Sequence, residues 1–237
     1  METNSEFILP KLSPWYKKKF LSYATQVLEA QQQMTTNKGK NILHYTLKKT
    51  RRHERMKHYP NKDRIDSATG AQYFYHCHRE DFDTTEHGHF HCFLRYKRIP
   101  KRIKPTPLDD WNLYIKNPMT HLVAIGMNQI GMPIRLFTVN RWVTSEIWYD
   151  AANAPKFLKR FKMTLTDDPY WQVLDKWIEG ILHLFAPQIT WLHQERDKMI
   201  KTHQELTPNE NIYLNKELEE LTYIDINLQK QIEWLIS

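Results

Sequence analysis

Five of the chain's 12 histidines lie close together: His76, His78, His87, His89 and His91. Their spacing carries more information than their number. In a β-strand, residues i and i+2 point to one face. His76 and His78 therefore share a face, and so do His87, His89 and His91. Pairing the two segments antiparallel with His78 opposite His89 sets His76 opposite His91. That register gathers the imidazoles on one side of a hairpin over residues 73–95. Neutral imidazole is a ligand for zinc and for several other transition metals. The expected chemistry is a divalent metal site, with zinc, manganese or iron as candidate ions and His76, His78, His89 and His91 as ligands. Without an ion, protonated imidazoles this close would repel and hold one another's pKa values down. The connecting residues add Glu80, Asp81, Asp83 and Glu86 as ligands, as partners of the imidazoles or as acid–base groups. Glu86 and His87 are the expected acid–base residues.

The elements around these residues must hold the hairpin. Residues 73–79 and 87–95 alternate, which puts Cys77 and Cys92 on the side opposite the imidazoles, with Phe90 and Leu94. Two cysteines do not make a disulfide framework. Neighbouring strands would allow a bridge, but a reducing cytoplasm favours two free buried thiols. Residues 121–127 and 134–140 read as a second hairpin joined across Asn128-Gln129-Ile130-Gly131. The expected fold is α+β: a small antiparallel sheet of about four strands with N-terminal and C-terminal helices. Ser13-Pro14 opens a first helix to about residue 34. A second helix, about 41–57, ends at Tyr59-Pro60, since the residue before proline avoids the α region. A short segment is expected at 111–115. Beyond Thr144 the chain reads as helical, with a short helix through Trp148 and starts at Pro155, Asp168-Pro169 and Pro187. Thr207-Pro208-Asn209-Glu210 caps a last helix over about 208–236. Leu214, Leu218, Leu221, Ile224, Leu228, Ile232 and Leu235 recur along it at spacings of three and four. That stripe is a core face or the seam of a homodimer. The expected organisation is one domain over 1–237: a basic helical segment (1–66), a histidine-rich β core (67–143) and a helical region (144–237).

With 41% hydrophobic and 13% aromatic residues, the composition supports a substantial core and excludes a disordered chain. No apolar run approaches the roughly 18–20 residues that cross a bilayer, and the first ten residues lack the apolar centre of a secretory signal. A cytoplasmic protein without a membrane role is expected. Net charge is +7, concentrated in two clusters. One spans residues 48–57; the other comprises Arg95, Lys97, Arg98, Lys101, Arg102 and Lys104. Such clusters suit a phosphate-bearing partner, nucleic acid included, or simply form a solvated face. Asn140-Arg141-Trp142-Val143-Thr144 follows a strand and opens a helix. Arg141 could hold an anionic group there, flanked by Asn140 and Trp142, with Arg79 and Arg95 as further substrate-binding candidates. The alternative is a structural corner in which Trp142 packs, Thr144 caps and Arg141 pairs with an acid. The chain has no glycine-rich phosphate loop, no Gly-x-Ser-x-Gly elbow and no His-Glu-x-x-His helix.

Two resemblances attach to these residues. Tyr73-Phe74-Tyr75-His76-Cys77-His78-Arg79, Glu86-His87-Gly88-His89-Phe90-His91-Cys92-Phe93-Leu94-Arg95 and Leu136-Phe137-Thr138-Val139-Asn140-Arg141-Trp142-Val143-Thr144 resemble a bacterial family of uncharacterised proteins. The likeness covers about residues 58–150. It implies no established activity, but it groups Asn140, Arg141 and Trp142 with the histidines. Locally, His89-Phe90-His91 is similar to the His-hydrophobic-His element of HUH nucleases. That likeness implies a pair on a central antiparallel strand, a divalent ion that polarises a scissile phosphate, and a tyrosine nucleophile. Tyr213-Leu214-Asn215-Lys216 and Tyr16-Lys17-Lys18-Lys19 fit the Tyr-x-x-Lys pattern. The first lies far downstream of the histidines and the second precedes them.

Three readings compete. The first is a metal-dependent enzyme acting on a phosphate-containing or nucleic-acid substrate, a hydrolase or an HUH-type nuclease. The second is a non-enzymatic nucleic-acid or protein binding module with structural histidines. The third is an interaction protein assembled through the C-terminal stripe, which is compatible with either of the others.

Overall fold

Short alternating segments that follow one another closely in sequence pair most simply as antiparallel neighbours. A computed structural model describes residues 6–35, 41–47, 54, 56–77, 85–108 and 118–237. His78, Arg79, Glu80, Asp81, Asp83, the segment 111–115 and most of the basic cluster at 48–57 lie outside the described residues. Helices α1 (Pro14–Thr35) and α2 (Ile42–Leu47) precede strands β1 (Tyr59–Ile65), β2 (Ala71–His76), β3 (Glu86–Arg95), β4 (Met119–Asn128) and β5 (Pro133–Val139). Then come α3 (Arg141–Thr144), α4 (Ala154–Leu158), α5 (Pro169–Leu184), α6 (Ala186–Leu206), β6 (Glu220–Asp225) and α7 (Leu228–Ile236). One sheet forms in the order β1-β2-β3-β4-β5-β6, and every neighbouring pair is antiparallel.

The α+β class with helices at both ends is observed, but six strands replace the expected four. Both additions are edge strands. The second helix, expected over about 41–57, is Ile42–Leu47, and the described residues 54 and 56–58 are not helical, so Tyr59-Pro60 opens β1 instead, pairing Tyr59 with Tyr75 and Arg64 with Tyr73 across an irregularity. An edge strand tolerates proline because one row of its N–H groups faces away from the ladder. The expected helix over 208–236 is likewise corrected. Residues 207–210 form a turn instead of a helix start, and β6 occupies Glu220–Asp225 before α7 begins. Residues 220–226 contain Thr222, Tyr223, Ile224 and Ile226, which fit a pleated surface as well as a helical stripe. The open edge of β5 decides between the two, and the Thr138 and Thr222 hydroxyls meet across it at 2.7 Å. The apolar stripe is thereby split between a turn, a strand and a short helix, so the continuous seam expected for a homodimer does not form. Helix α3 starts one turn earlier than expected, because Asn140 rather than Thr144 caps it.

The sheet has two different faces. Tyr73, Tyr75, Phe90, Cys92, Leu94, Val123, Ile125 and Leu136 pack in one core with residues of α1, α5 and α6, including Val27, Trp177, Ile181 and Leu192. Full burial of each large apolar side chain contributes roughly 1.5–3 kcal/mol. Cys77 and Cys92 are buried free thiols. Residues alternating with these on the strands, His76, His89, His91 and Phe93, form the other face. One polar anchor locks the first edge of the sheet to the helices. Buried Arg64 donates to Asp175 at 2.7–3.1 Å and to Asp167 at 2.7 Å, and the Tyr73 hydroxyl donates to Asp175 at 2.8 Å. This network ties β1 and β2 to α5 and so holds the strand that carries His76. No described helix is long and apolar enough to cross a membrane.

Removing one partner from such a buried ion pair strands the other charge. Asp175→Ala is expected to lower the unfolding free energy by about 3–5 kcal/mol, measured by urea denaturation. A loss below about 1 kcal/mol would show that the anchor does not hold β1 and β2.

Candidate metal centre

Strand β3 sits between β2 and β4, so its side chains have neighbours on both flanks. The register pairs Phe74 with His91, Tyr75 with Phe90 and His76 with His89. This corrects the expected pairing of His78 with His89 and His76 with His91 by two residues. A two-residue shift preserves the face, whereas a one-residue shift would reverse it. The imidazoles therefore still converge. His76 Nε2 lies 2.9 Å from His89 Nε2 and 3.2 Å from His91 Nε2. All three residues are buried, and the triad could hold a metal ion. With nitrogen–metal distances of about 2.0–2.1 Å, tetrahedral ligand atoms stand about 3.3 Å apart, close to both separations from His76 Nε2. His78, the fourth expected ligand, lies outside the described residues.

The triad is held from behind. Glu86 Oε1 meets His89 Nδ1 at 2.8 Å. It reaches that side through a bulge between Glu86 and Gly88, where one extra residue breaks the alternation. Gly88 is required here, because a Cβ would fall 2.5 Å from the His76 carbonyl and 2.6 Å from the Tyr75 hydroxyl. The same bulge turns His87 away from His89 and His91. Its Nδ1 instead meets the Tyr75 hydroxyl at 2.6 Å, so the expected shared face is corrected. Gly126, opposite His89, leaves room for the carboxylate: a Cβ would lie 2.6 Å from Glu86 Oε2 and from Arg135 Cγ. Arg135 binds Glu220 at 2.7 Å and approaches Glu86 at 3.9 Å.

A fourth imidazole was not singled out from the sequence. His121 Nε2 lies 3.0 Å from His91 Nδ1. Burial, with Arg196 and His89 adding repulsion, pushes His121 down to about 3. It is therefore neutral near pH 7. Its backbone N–H donates to Glu146 Oε2 at 2.6 Å, and the Thr120 and Thr144 hydroxyls bond the same carboxyl at 3.2 Å. Burial nonetheless drives Glu146 up to about 7, outweighing Arg196 and these donors. His121 has no i+2 histidine partner, so alternation could not flag it. Glu146 lies in the stretch that follows the Asn-Arg-Trp run, and that position was its only signal. Aromatic rings close the remaining sides: His58 stacks on Phe74 at 3.6 Å, and Phe137 meets His89 edge-on at 5.0 Å.

His89 and His91 face a cleft of about 560 Å3 that Glu86, Arg135, Phe137 and Glu220 also line. The other expected site residues are elsewhere. Asn140 accepts from the Arg141 N–H and donates to the Ile212 carbonyl at 2.9 Å. Buried Arg141 donates from Nε to the Glu146 carbonyl at 3.0 Å, and Trp142 donates to the Leu218 carbonyl at 3.0 Å. These three build the corner between β5 and the 211–218 segment and do not line the cleft. Arg95 donates to the Gln72 side chain at 2.7 Å. Tyr213 packs beside Trp148 in a different cleft, and Tyr16 lies half-exposed on α1. Among the described residues, no tyrosine lines the histidine cleft.

The fold and the site define a class: an α+β protein with a six-stranded antiparallel meander and a buried histidine triad on one sheet face. The chain belongs to the DUF6969 family, a domain of unknown function, whose match spans residues 21–226. No curated protein and no solved structure matches it.

The carboxyl of Glu146 sets a pH dependence. Its native value of about 7 exceeds the ordinary 4.5, so the native state retains a proton that the unfolded chain releases. The associated stability is full below about pH 4.5 and is lost as pH rises through about 7. Glu146→Gln is expected to remove this loss. Relative to wild type, the variant should gain about 3 kcal/mol between about pH 4.5 and 8, read from urea unfolding at each pH. Parallel pH profiles for the two proteins would show that Glu146 is ionised throughout.

Proposed function

We propose that this chain is a divalent-metal-dependent enzyme that hydrolyses a small phosphate-containing substrate. One observation carries the reading: three buried imidazole nitrogens converge beside a cleft lined by further charged groups. His76, His89 and His91 are the proposed ligands, with His78 as a fourth candidate and zinc, manganese or iron as the ion. When bound, the ion supplies Lewis-acid activation of a phosphoryl oxygen and of water. Glu86 holds the His89 ring through Nδ1, which turns Nε2 toward His76 and His91 as the ligating atom. His121, neutral and 3.0 Å from His91 Nδ1, does the same for His91 by accepting a hydrogen bond from its Nδ1–H. Glu86 therefore acts more as a positioning residue than as the acid or base. His87 and Glu220 line the same cleft, and burial raises the Glu220 carboxyl. Glu220 is the proposed acid–base group; His87 borders the cleft from the other side of the bulge, with its Nδ1 held by the Tyr75 hydroxyl.

Charge in the cleft bears on the substrate. Among the described lining residues, Arg135 is the only Lys or Arg, against Glu86, Glu219 and Glu220. That balance supports a single phosphoryl group near the histidines over a length of nucleic-acid backbone. Asn140, Arg141 and Trp142 support the cleft wall by fixing the corner from which Val143 lines it. Arg79 and Arg95 are left as candidates for binding substrate.

A second reading has its own support. The four imidazoles bond one another and pack on aromatic rings, an arrangement that a non-enzymatic binding module with structural histidines would also show. Elemental mass spectrometry of tag-free protein separates the two. Near-stoichiometric metal is expected in the wild type, and it should be lost in a still-folded His89→Ala/His91→Ala variant. Glu86→Gln is expected to weaken metal affinity about 10–100-fold, with hydrolysis of a chromogenic phosphodiester falling in parallel. A wild type that takes up no zinc, manganese or iron after reconstitution would leave the structural reading in place.

A further inference from the structure

Two clefts on the helical side of the molecule meet at one residue, Lys159. The first measures about 490 Å3 and runs between the segment before α1 and helices α1, α4 and α6. Its walls are apolar: Phe7, Phe20, Leu158, Ala186, Pro187 and Trp191 line it. Phe7 reaches across to Trp191 with ring centroids 5.7 Å apart. The second measures about 530 Å3, and Arg102, Lys104, Lys156, Lys159 and Arg160 line it without any carboxylate. All five cations are exposed. Among the described residues, none has an acidic side chain at ion-pair distance; Lys156 donates instead to the neutral Asn153 side chain at 3.1 Å. Neither cleft shares a lining residue with the histidine cleft.

Like charges gathered without a counter-charge raise one another's energy, and an anion relieves that repulsion. Apolar walls beside them favour burial of hydrocarbon. One ligand satisfies both surfaces. We propose that the paired clefts bind a single-chain amphiphile with a phosphate head, its alkyl chain in the apolar cleft and its head among the five cations. Lys159 borders both compartments and marks the junction between chain and head. A free phosphate would leave the apolar walls wet. A neutral amphiphile would leave the cations unopposed. The site is independent of the histidine centre, so the two proposals stand or fall separately.

Calorimetric titration with alkyl phosphates, each kept below its micelle concentration, tests this. Burying each methylene tightens binding about fourfold at most. Dodecyl phosphate is therefore expected to bind at 1:1 stoichiometry and at least tenfold more tightly than octyl phosphate. It should also exceed dodecyl maltoside and inorganic phosphate by at least tenfold. Lys156→Glu/Lys159→Glu, at two exposed positions, should weaken it tenfold or more. Thr190→Trp, which fills the apolar cleft, should remove the chain-length dependence; circular dichroism checks that both variants fold. Affinity independent of chain length would assign binding to the basic groove alone and overturn the proposal. Equal affinity for dodecyl maltoside would assign it to the apolar cleft alone, with the same consequence. Saturable binding of a short DNA duplex without any binding of dodecyl phosphate would make the groove a nucleic-acid surface, and no saturable binding would dismiss the site.

Discussion

The pairing of His76 with His89 across β2 and β3 is the constraint on which the histidine centre depends. Side chains alternate strictly along a strand, so this register decides which residues enter the helical core and which gather on the other face. It places Tyr73, Tyr75 and Phe90 against the helices and His76, His89 and His91 together on the other side. A slip of one residue would exchange the two sets, burying imidazoles among apolar side chains and turning aromatic rings toward the cleft. The cost of burying unsatisfied polar groups forbids that exchange. The core and the site are thus two readings of one alternation, and the Arg64–Asp175–Tyr73 network fixes the strand on which both rest.

Burial then acts on the site in opposite directions. The same loss of solvent drives the His121 base down and the Glu146 acid up, because in each case the charged form loses hydration. The result, near pH 7, is a neutral His121 beside a Glu146 carboxyl close to its own midpoint, both behind the triad. His91 connects this pair to the nitrogens that could hold an ion, through its Nδ1 contact with His121. Glu86 and Arg135 lie nearer the solvent and line the cleft itself. The site therefore grades from a buried, hydrogen-bonded back to a front of acidic and basic side chains at the cleft.

Charge is also distributed between distant parts of the molecule. The chain carries a net +7, yet the cleft beside the histidines has more carboxylates than cations. Five of the excess cations instead border the groove between residues 102–104 and α4. A basic composition thus says little about the charge at a given site, since spacing in the fold separates what the sequence sums. The same caution applies to the Asn140-Arg141-Trp142 run, whose polar groups bond the backbone and build a corner.

Much of the site was legible in the sequence because strand alternation is a local rule. His89 and His91 share a face in any strand that contains both, and His76 needed only an antiparallel neighbour. The helix starts at Pro14 and at Asp168-Pro169 were legible for the same reason: their capping chemistry is complete within a few residues. What the sequence could not specify depended on contacts between distant segments. The register differed by two residues because it is set across strands, and both registers preserve the buried face. The bulge at Glu86–Gly88 reversed His87 because it requires close approach to Tyr75 and His76. His121 and Glu146 entered from β4 and the turn after α3, with no periodic signal of their own. The segment 220–225 fits helical and strand periods alike, and the unpaired edge of β5 made it a strand. Local periodicity determined which residues face together; only the tertiary structure decided their partners, because hydrogen-bond register and burial join residues far apart in the chain.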